Sequence, residues 1–516
     1  MFPGVIARTT PDKPAVIRAA TGEQLTYREL DENSTRIANH LETLGVRPGD
    51  TIAMVAENDL HIFEVYWAAV RSGLYITAIN HHLSAAETNY ILADCNARVL
   101  FAGASVAAAV ADAGALAHLA EAGHRIAWGG AIDGFDPYEK VLGEASKAPR
   151  TDQPRGGDML YSSGTTGHPK GIKFPLPQGQ VDETPDLLTP IFAPIYGFDP
   201  ECIYFSPAPL YHAAPLRYCA MTNSVGGTVV YLDRFDAEEA LAAIDRYRPT
   251  HSQWVPTMFI RMLKLPKDVR DRYDVSSLTI AIHAAAPCPA EVKKAMIDWW
   301  GPVIHEYYAA TEAAGATFIG PEEALEHPGS VGRAGQGIIH ICDDGGAELP
   351  TGEVGLIYFE RDALPFSYHN SPEKTRSAQH ADHDNWATTG DMGYLDEDGY
   401  LYLTDRKAFM IISGGVNIYP QEAENVLINH PAVYDVAVIG VPDADLGEVV
   451  KACVQLADGF APSEQLAEEL MAFTRGSIAT YKTPRSVDFV DDLPRTPTGK
   501  LVKGELRTQY WPAPAS

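Results

Sequence analysis

Paired cysteines are missing from this sequence. Its six cysteines, Cys95, Cys202, Cys219, Cys288, Cys342 and Cys453, are scattered with no Cys-x-x-Cys spacing. That excludes a cysteine zinc site and a dense disulfide framework and leaves buried, reduced thiols as the expectation. Positive charge is scarce as well: 40 Lys and Arg stand against 68 Asp and Glu, a formal net charge of −28. The balance opposes association with nucleic acid or anionic membranes, and any site for an anionic ligand has to be locally electropositive. Long apolar runs are lacking too. The most apolar stretch, residues 106–122, is interrupted by Asp112, His118 and Glu121, so it reads as a helix packed on protein and not as a membrane span. The first 14 residues mix Pro3, Arg8, Asp12 and Lys13 with few apolar side chains, unlike the apolar segment of a signal peptide, and a cytoplasmic location is expected.

What the sequence does have is bulk. At 516 residues and 46% hydrophobic content it exceeds the size at which a single core stops growing, so two or more domains are expected. Thr26 and Glu29 have capping-box spacing, and Leu30, Ile37, Leu41 and Leu44 then share one face before Gly45, which predicts a helix over 27–44. A turn at Pro48-Gly49-Asp50 leads to a short apolar strand over 51–55, and helix-then-strand alternation recurs at 229–232 and 278–283. The pattern is that of an α/β fold. Residues 129–157 and 175–200, rich in Gly, Asp, Lys or Pro, read as surface connections. After Lys407 the pattern restarts with a helix at 421–429, strands at 433–441 and 449–456, then a helix and a strand. The last stretch, about 110 residues, is a normal domain size. We therefore divide the chain into a large α/β domain of several subdomains, 1–405, and a small α+β domain, 406–516.

Residues 161–171 concentrate Ser162, Ser163, Gly164, Thr165, Thr166 and Gly167 beside Lys170. Glycine lets backbone N–H groups converge on phosphate oxygens, and the hydroxyls and ammonium add donors. Gly171 follows the lysine where the common P-loop has Ser or Thr, so this is a different phosphate loop. Flexible linkers use the same residues, but Pro169 and the lack of repetition argue against one. The loop resembles the signature of the adenylate-forming superfamily, which includes acyl-CoA synthetases, aryl-CoA ligases, beetle luciferases and nonribosomal adenylation domains. Further segments match in the same order: His283-Ala284-Ala285-Ala286-Pro287, Tyr308-Ala309-Ala310-Thr311-Glu312, Thr389-Gly390-Asp391, Asp405-Arg406, residues 413–420 and residues 494–500. The resemblance spans essentially the whole chain.

It implies ATP, Mg²⁺ and coenzyme A as cofactors, with a small C-terminal domain that moves. Lys500 would bridge the acid's carboxylate and the α-phosphate, where a cation offsets the approach of two anions. Glu312 would ligate magnesium, a hard cation suited to carboxylate oxygen. Thr166 and Thr311 would hydrogen-bond phosphate oxygens, Asp391 would accept the ribose hydroxyls, and Arg406 would add ribose or phosphate contacts. Ala284, Ala285 and Ala286 would let the backbone approach the adenine, with Tyr308 stacking on it. A hinge close to Arg406 would turn the small domain so that Gly414 and Gly415 face the pantetheine path. Three positions depart from the family pattern: Ala408 replaces a charged hinge residue, Val416 a glutamate, and Ala309 a glycine. The hinge assignment is the one these departures touch.

Relatives that activate amino acids hold the ammonium with an aspartate, but residues 207–216 contain no carboxylate, and an unpaired buried ammonium is costly. His212 resembles the family's gate beside the carboxylate. Ala213, Ala214, Gly315 and Ala316 are small where pocket walls are expected, and Trp254, Val255 and Met258 are placed along them. Together they point to a medium- or long-chain or bulky apolar acid. The expected activity is an acyl-CoA synthetase acting through an acyl-adenylate. Transfer to an amine or a carrier-protein thiol and a non-catalytic nucleotide-binding homologue are the alternatives, and a homodimer stays open.

Overall fold

The computed structural model describes the chain except residues 1, 120, 122, 163–168, 407, 408, 415, 444, 496–500 and 512–516, and except the side chains of residues 115, 117, 405 and 406. Local chemistry sets the first long helix, Tyr27–Thr43: the Thr26 side chain accepts from the Glu29 N–H, and a Glu29 oxygen accepts from the Thr26 N–H at 2.8 Å. Its face of Tyr27, Leu30, Ile37 and Leu41 is buried against the core. Strand Thr51–Val55 follows where the alternation placed it, buried along its whole length, as a strand covered on both sides must be.

Among the described residues four sheets form. The central one has nine strands, and its inner strands Ile203–Ser206, Thr228–Tyr231, His251–Trp254, Ile280–His283 and Ile304–Ala309 run parallel. An eight-stranded sheet is built around Thr51–Val55, Tyr75–Ile79 and Ala97–Gly103, and antiparallel pairing of Gly157–Ser162 with Lys170–Lys173 brackets the glycine-rich loop. A small antiparallel sheet holds Ile338–Cys342, Gly355–Glu360, Asp391–Leu395 and Leu401–Arg406. The fourth, from Ile411 onward, pairs Val433–Asp443 with Gly447–Leu456 and carries helices Pro420–Leu427 and Glu464–Arg475. Its core is its own: Ile411, Leu427, Val436, Val438, Val454 and Leu470 cluster together. Large helix-backed α/β sheets precede a small α+β unit, the expected fold class.

Three expectations fail locally. The described residues of 106–122 form no α-helix; 3-10 turns Ala104–Val110, Ala113–Ala115 and Ala117–Leu119 stand in its place, with Val106 non-helical. Residues 129–157 include helix Tyr138–Glu144, whose Tyr138 is fully buried and donates to Glu64 at 2.6 Å. Residues 175–200 include helix Thr189–Tyr196, with Pro190 in its first turn where a missing N–H costs nothing, and it buries Phe192 and Tyr196. Neither segment is a mere surface connection.

Candidate active site

Parallel strands that end together leave a crevice at their C-terminal edges, the usual place for a ligand in such sheets. Here that crevice is a cavity of about 600 Å³ lined by the ends of His251–Trp254 and Ile304–Ala309, by the turn after Ile280–His283, by Gly157–Ser162 and by the C-terminal unit. Three groups of residues divide it.

At one end stand Ala284, Ala285 and Ala286 with Tyr308, Thr389 and Asp391. Ala285 adopts φ +75°, a backbone strain tolerated where a close approach is needed. The hydroxyls of Tyr308 and Thr389 both donate to Asp391 Oδ2, at 2.7 and 2.8 Å, and orient the carboxylate in the cavity. Arg406 pairs with Asp391 through the strand backbones.

In the middle lie Ser162, Lys170, Thr311, Glu312 and Tyr368. Glu312 is buried, and the Tyr368 hydroxyl donates to its Oε1 at 2.9 Å. Lys170 Nζ sits 4.8 Å from the centre of the Tyr368 ring, so one aromatic side chain steadies both a cation and a carboxylate. Burial, helped by the neighbouring Lys374 charge, holds the Lys170 ammonium below its ordinary range, while Glu312 pulls the other way. Ser163, Gly164, Thr165, Thr166 and Gly167 lie outside the described residues.

The third part runs along helix Ala213–Val225, which presents Ala213, Ala214, Arg217, Tyr218 and Met221 to the cavity opposite Phe192 and Trp254. His212, at the cap of that helix, packs its ring 4.4 Å from that of Tyr211, and both line the cavity. Arg217 is bound bidentate by Asp158 at 2.7 and 2.8 Å. Burial opposes the guanidinium charge, but Asp158 outweighs it and the pKa is raised. Val255 and Ala316 are also lining residues. Met258 is placed differently: it packs into the core with Phe259 and Trp300, and Thr257 and Ile260 line the wall from its helix. Gly315 lines the cavity, but its smallness serves packing, since a Cβ there would lie 2.0 Å from the Phe359 ring.

The C-terminal unit closes the cavity with Gln421, Asp435, Arg495, Leu501 and Lys503. Lys500 is outside the described residues, but Arg495 and Leu501, which flank its loop, pair as an antiparallel bridge at the cavity. Gly414, at φ +58° in the turn between Ile411–Ser413 and Val416–Ile418, is not among the residues lining it, and Gly415 is undescribed.

Sequence reasoning missed Arg217, Asp158, Tyr368 and Phe192. The four-residue spacing of Ala213, Arg217 and Met221 was a signal for the first. Tyr368 had none, because its partner Glu312 is 56 positions away.

A strained Ala-rich turn, a hydroxyl-held aspartate, and a lysine and a glutamate that share Tyr368 thus line one cavity. The chain belongs to the AMP-binding enzyme family of the adenylate-forming superfamily: the family model matches residues 5–368 and that of its C-terminal domain residues 422–500. It is 35% identical to a feruloyl-CoA synthase from Amycolatopsis over 98% of this chain and 97% of the relative. With the long-chain-fatty-acid–CoA ligase FadD13 of Mycobacterium tuberculosis it shares 32% identity over the same fractions. The crystal structure of the anthranilate CoA ligase AuaEII with anthranoyl-AMP superposes with a TM-score of 0.85 at 27% identity, covering 98% of this chain and 96% of that one.

The family implies magnesium. Among the described residues no cluster of three or more His, Cys, Asp or Glu is present. Glu312 alone on the cavity wall still fits a cation that keeps its waters and shares phosphate oxygens with one carboxylate. No described helix is long and apolar enough to cross a membrane.

Proposed function

We propose that this protein is an ATP-dependent carboxylic acid:CoA ligase that forms an acyl-adenylate and then an acyl-CoA, acting on a medium- or long-chain or bulky apolar acid. One observation supports this most directly: the oriented Asp391, the Lys170–Tyr368–Glu312 group and an arm along Ala213–Met221 open into one cavity. Nucleotide and acid can therefore meet at the phosphates.

Ala284–Ala286 and Tyr308 take the adenine, Asp391 and Arg406 the ribose, and Thr166, Thr311 and Lys170 the phosphates. The acid lies along the helix with His212 beside its carboxylate. A carboxylate oxygen attacks the α-phosphorus as pyrophosphate leaves, and the Lys500 ammonium offsets the charge gathering between them. Glu312 would hold magnesium, which supplies charge neutralisation of the phosphates. The unit from residue 406 onward then turns about a hinge near Arg406, bringing Gly414 and Gly415 to the pantetheine arm. The CoA thiolate attacks the acyl carbon, and AMP departs.

The charges on the wall favour an uncharged acid tail. Glu306 is paired with Lys293, Glu424 with Lys503, Asp435 with Arg495, and Arg217 with Asp158. Glu312 and Asp391 belong to the nucleotide parts, so among the described residues no carboxylate in the acid arm is left for an ammonium.

Acid-dependent release of pyrophosphate and AMP over short, long, aryl and polycyclic acids, with and without CoA, tests the reading. Apolar acids of intermediate or large size should turn over best, with AMP release accelerated by CoA. A clear preference for acetate would defeat the acid assignment, and acyl transfer to amines but not to CoA would defeat the acceptor.

A further inference from the structure

Lys264 closes the helix Pro256–Leu263, whose Thr257 and Ile260 line the acid arm. Its ammonium crosses to the C-terminal unit and donates to the carbonyls of Val433 at 3.1 Å and Tyr434 at 2.6 Å. It also lies 5.0 Å from the centre of the Tyr434 ring. These carbonyls sit at an irregularity: the pairing of Val433–Asp443 with Gly447–Leu456 shifts register between Val433 and Asp435, so Tyr434 has no ladder partner. A bulge of this kind re-aims its neighbours and leaves a backbone group to be satisfied from outside the sheet.

The next residue carries the consequence. Asp435 receives Arg495 in a two-bond clamp, Nε to Oδ2 at 2.5 Å and Nη2 to Oδ1 at 2.6 Å, and both side chains line the cavity. Arg495 bridges to Leu501 across the loop that contains Lys500. Contacts thus run from the acid-arm helix through Lys264, the bulge and Asp435 to the base of the catalytic loop. A turn of the C-terminal unit has to break the first of them.

We propose that Lys264 is a positioning residue, a latch that holds the C-terminal unit in the arrangement for adenylation and lets go before thioester formation. The inference rests on the two-step reading given above. Charge-assisted hydrogen bonds bias such an equilibrium, and partial exposure of this lysine limits the bias to roughly tenfold. A contact made in only one arrangement shifts the population and leaves each unit's fold intact.

The test compares Lys264→Met, which keeps the alkyl stem on Tyr434, with Lys264→Arg. Single-turnover pyrophosphate release without CoA reports adenylation, and CoA ester formation from a supplied acyl-adenylate reports the second step. Spin labels at Glu239→Cys and Glu468→Cys, exposed positions on helices of the two units, report the arrangement directly. The Met variant should lose several-fold to roughly tenfold in adenylation, keep or gain rate in the thioester step, and broaden the label distance distribution. The Arg variant should restore all three. An unchanged distance distribution, or equal losses in both steps, would overturn the latch. A parent enzyme that makes no CoA ester would count against the ligase reading alone, because the label distances still decide the role of Lys264.

Discussion

In the proposed mechanism Lys500 and Glu312 bring opposite charges to the same phosphates, and their substitutions should separate the two half-reactions. Two unit charges about 4 Å apart interact by roughly 4 kcal/mol at an effective dielectric near 20, or about a thousandfold in rate when realised in the transition state. Lys500→Ala should therefore lower acyl-adenylate formation by about that factor and leave thioester formation from supplied acyl-adenylate largely intact; equal loss in both assays would refute the division. Glu312→Gln keeps an amide oxygen to accept from Tyr368 but removes the charge, so half-saturation by magnesium should move to higher concentration, and an unchanged metal titration would assign Glu312 to structure alone. At this scale the sequence was legible where the chemistry is local. Lys170, Asp391 and Tyr308 sit in short motifs, and they line the cavity. Tyr368 stands beside the turn that carries Glu312 because strand Ser367–Tyr368 pairs with the distant Lys170–Lys173, which no local pattern encodes.

Among the elements, helix Ala213–Val225 sets the reach of the proposed acid arm. From Ala213 to Met221 the lining residues span two helical turns, about 12 Å at 1.5 Å per residue. In that reading Met221, the lining residue furthest along the helix, marks the deep end, and its flexible side chain suits exchange for a larger one. Met221→Trp should shorten the arm, raising KM for the longest acid accepted by about tenfold or more while sparing a short one, since rejection by steric overlap costs about 1–3 kcal/mol. Kinetics on two acids differing only in length decide it, and equal changes for both would move the deep end elsewhere. Elements were readable when one strong signal governed them: Tyr27–Thr43 through its capping box and Thr51–Val55 through its apolar run. Helix Thr189–Tyr196 was misread because burial of Phe192 and Tyr196 outweighs its proline content, and the apolar run 106–122 folds among its described residues as 3-10 turns.

Across the whole molecule the hydrophobic clusters fall on two sides of residue 411. Ile411, Leu427 and Leu470 form one core and Ala437, Cys453 and Leu506 a second beside it, and neither includes a described residue from before 411. The sequence pattern also restarts after Lys407, and a chain that restarts its alternation can build a separate core. All six cysteines are buried and none is disulfide-bonded. Burial pushes the thiols of Cys95, Cys219 and Cys288 up to about 12 and those of Cys202 and Cys342 up to about 11, so little thiolate exists at neutral pH. The native enzyme should resist iodoacetamide, and alkylation should follow unfolding. Cys453 belongs to the C-terminal cores, and the other five to the larger part. Separate cores should open at different denaturant concentrations. Mass spectrometry of protein alkylated across a urea series should then show Cys453 modified in a different step from the other five. Simultaneous modification of all six would mean that the two parts unfold as one, with the interface adding enough stability to couple them.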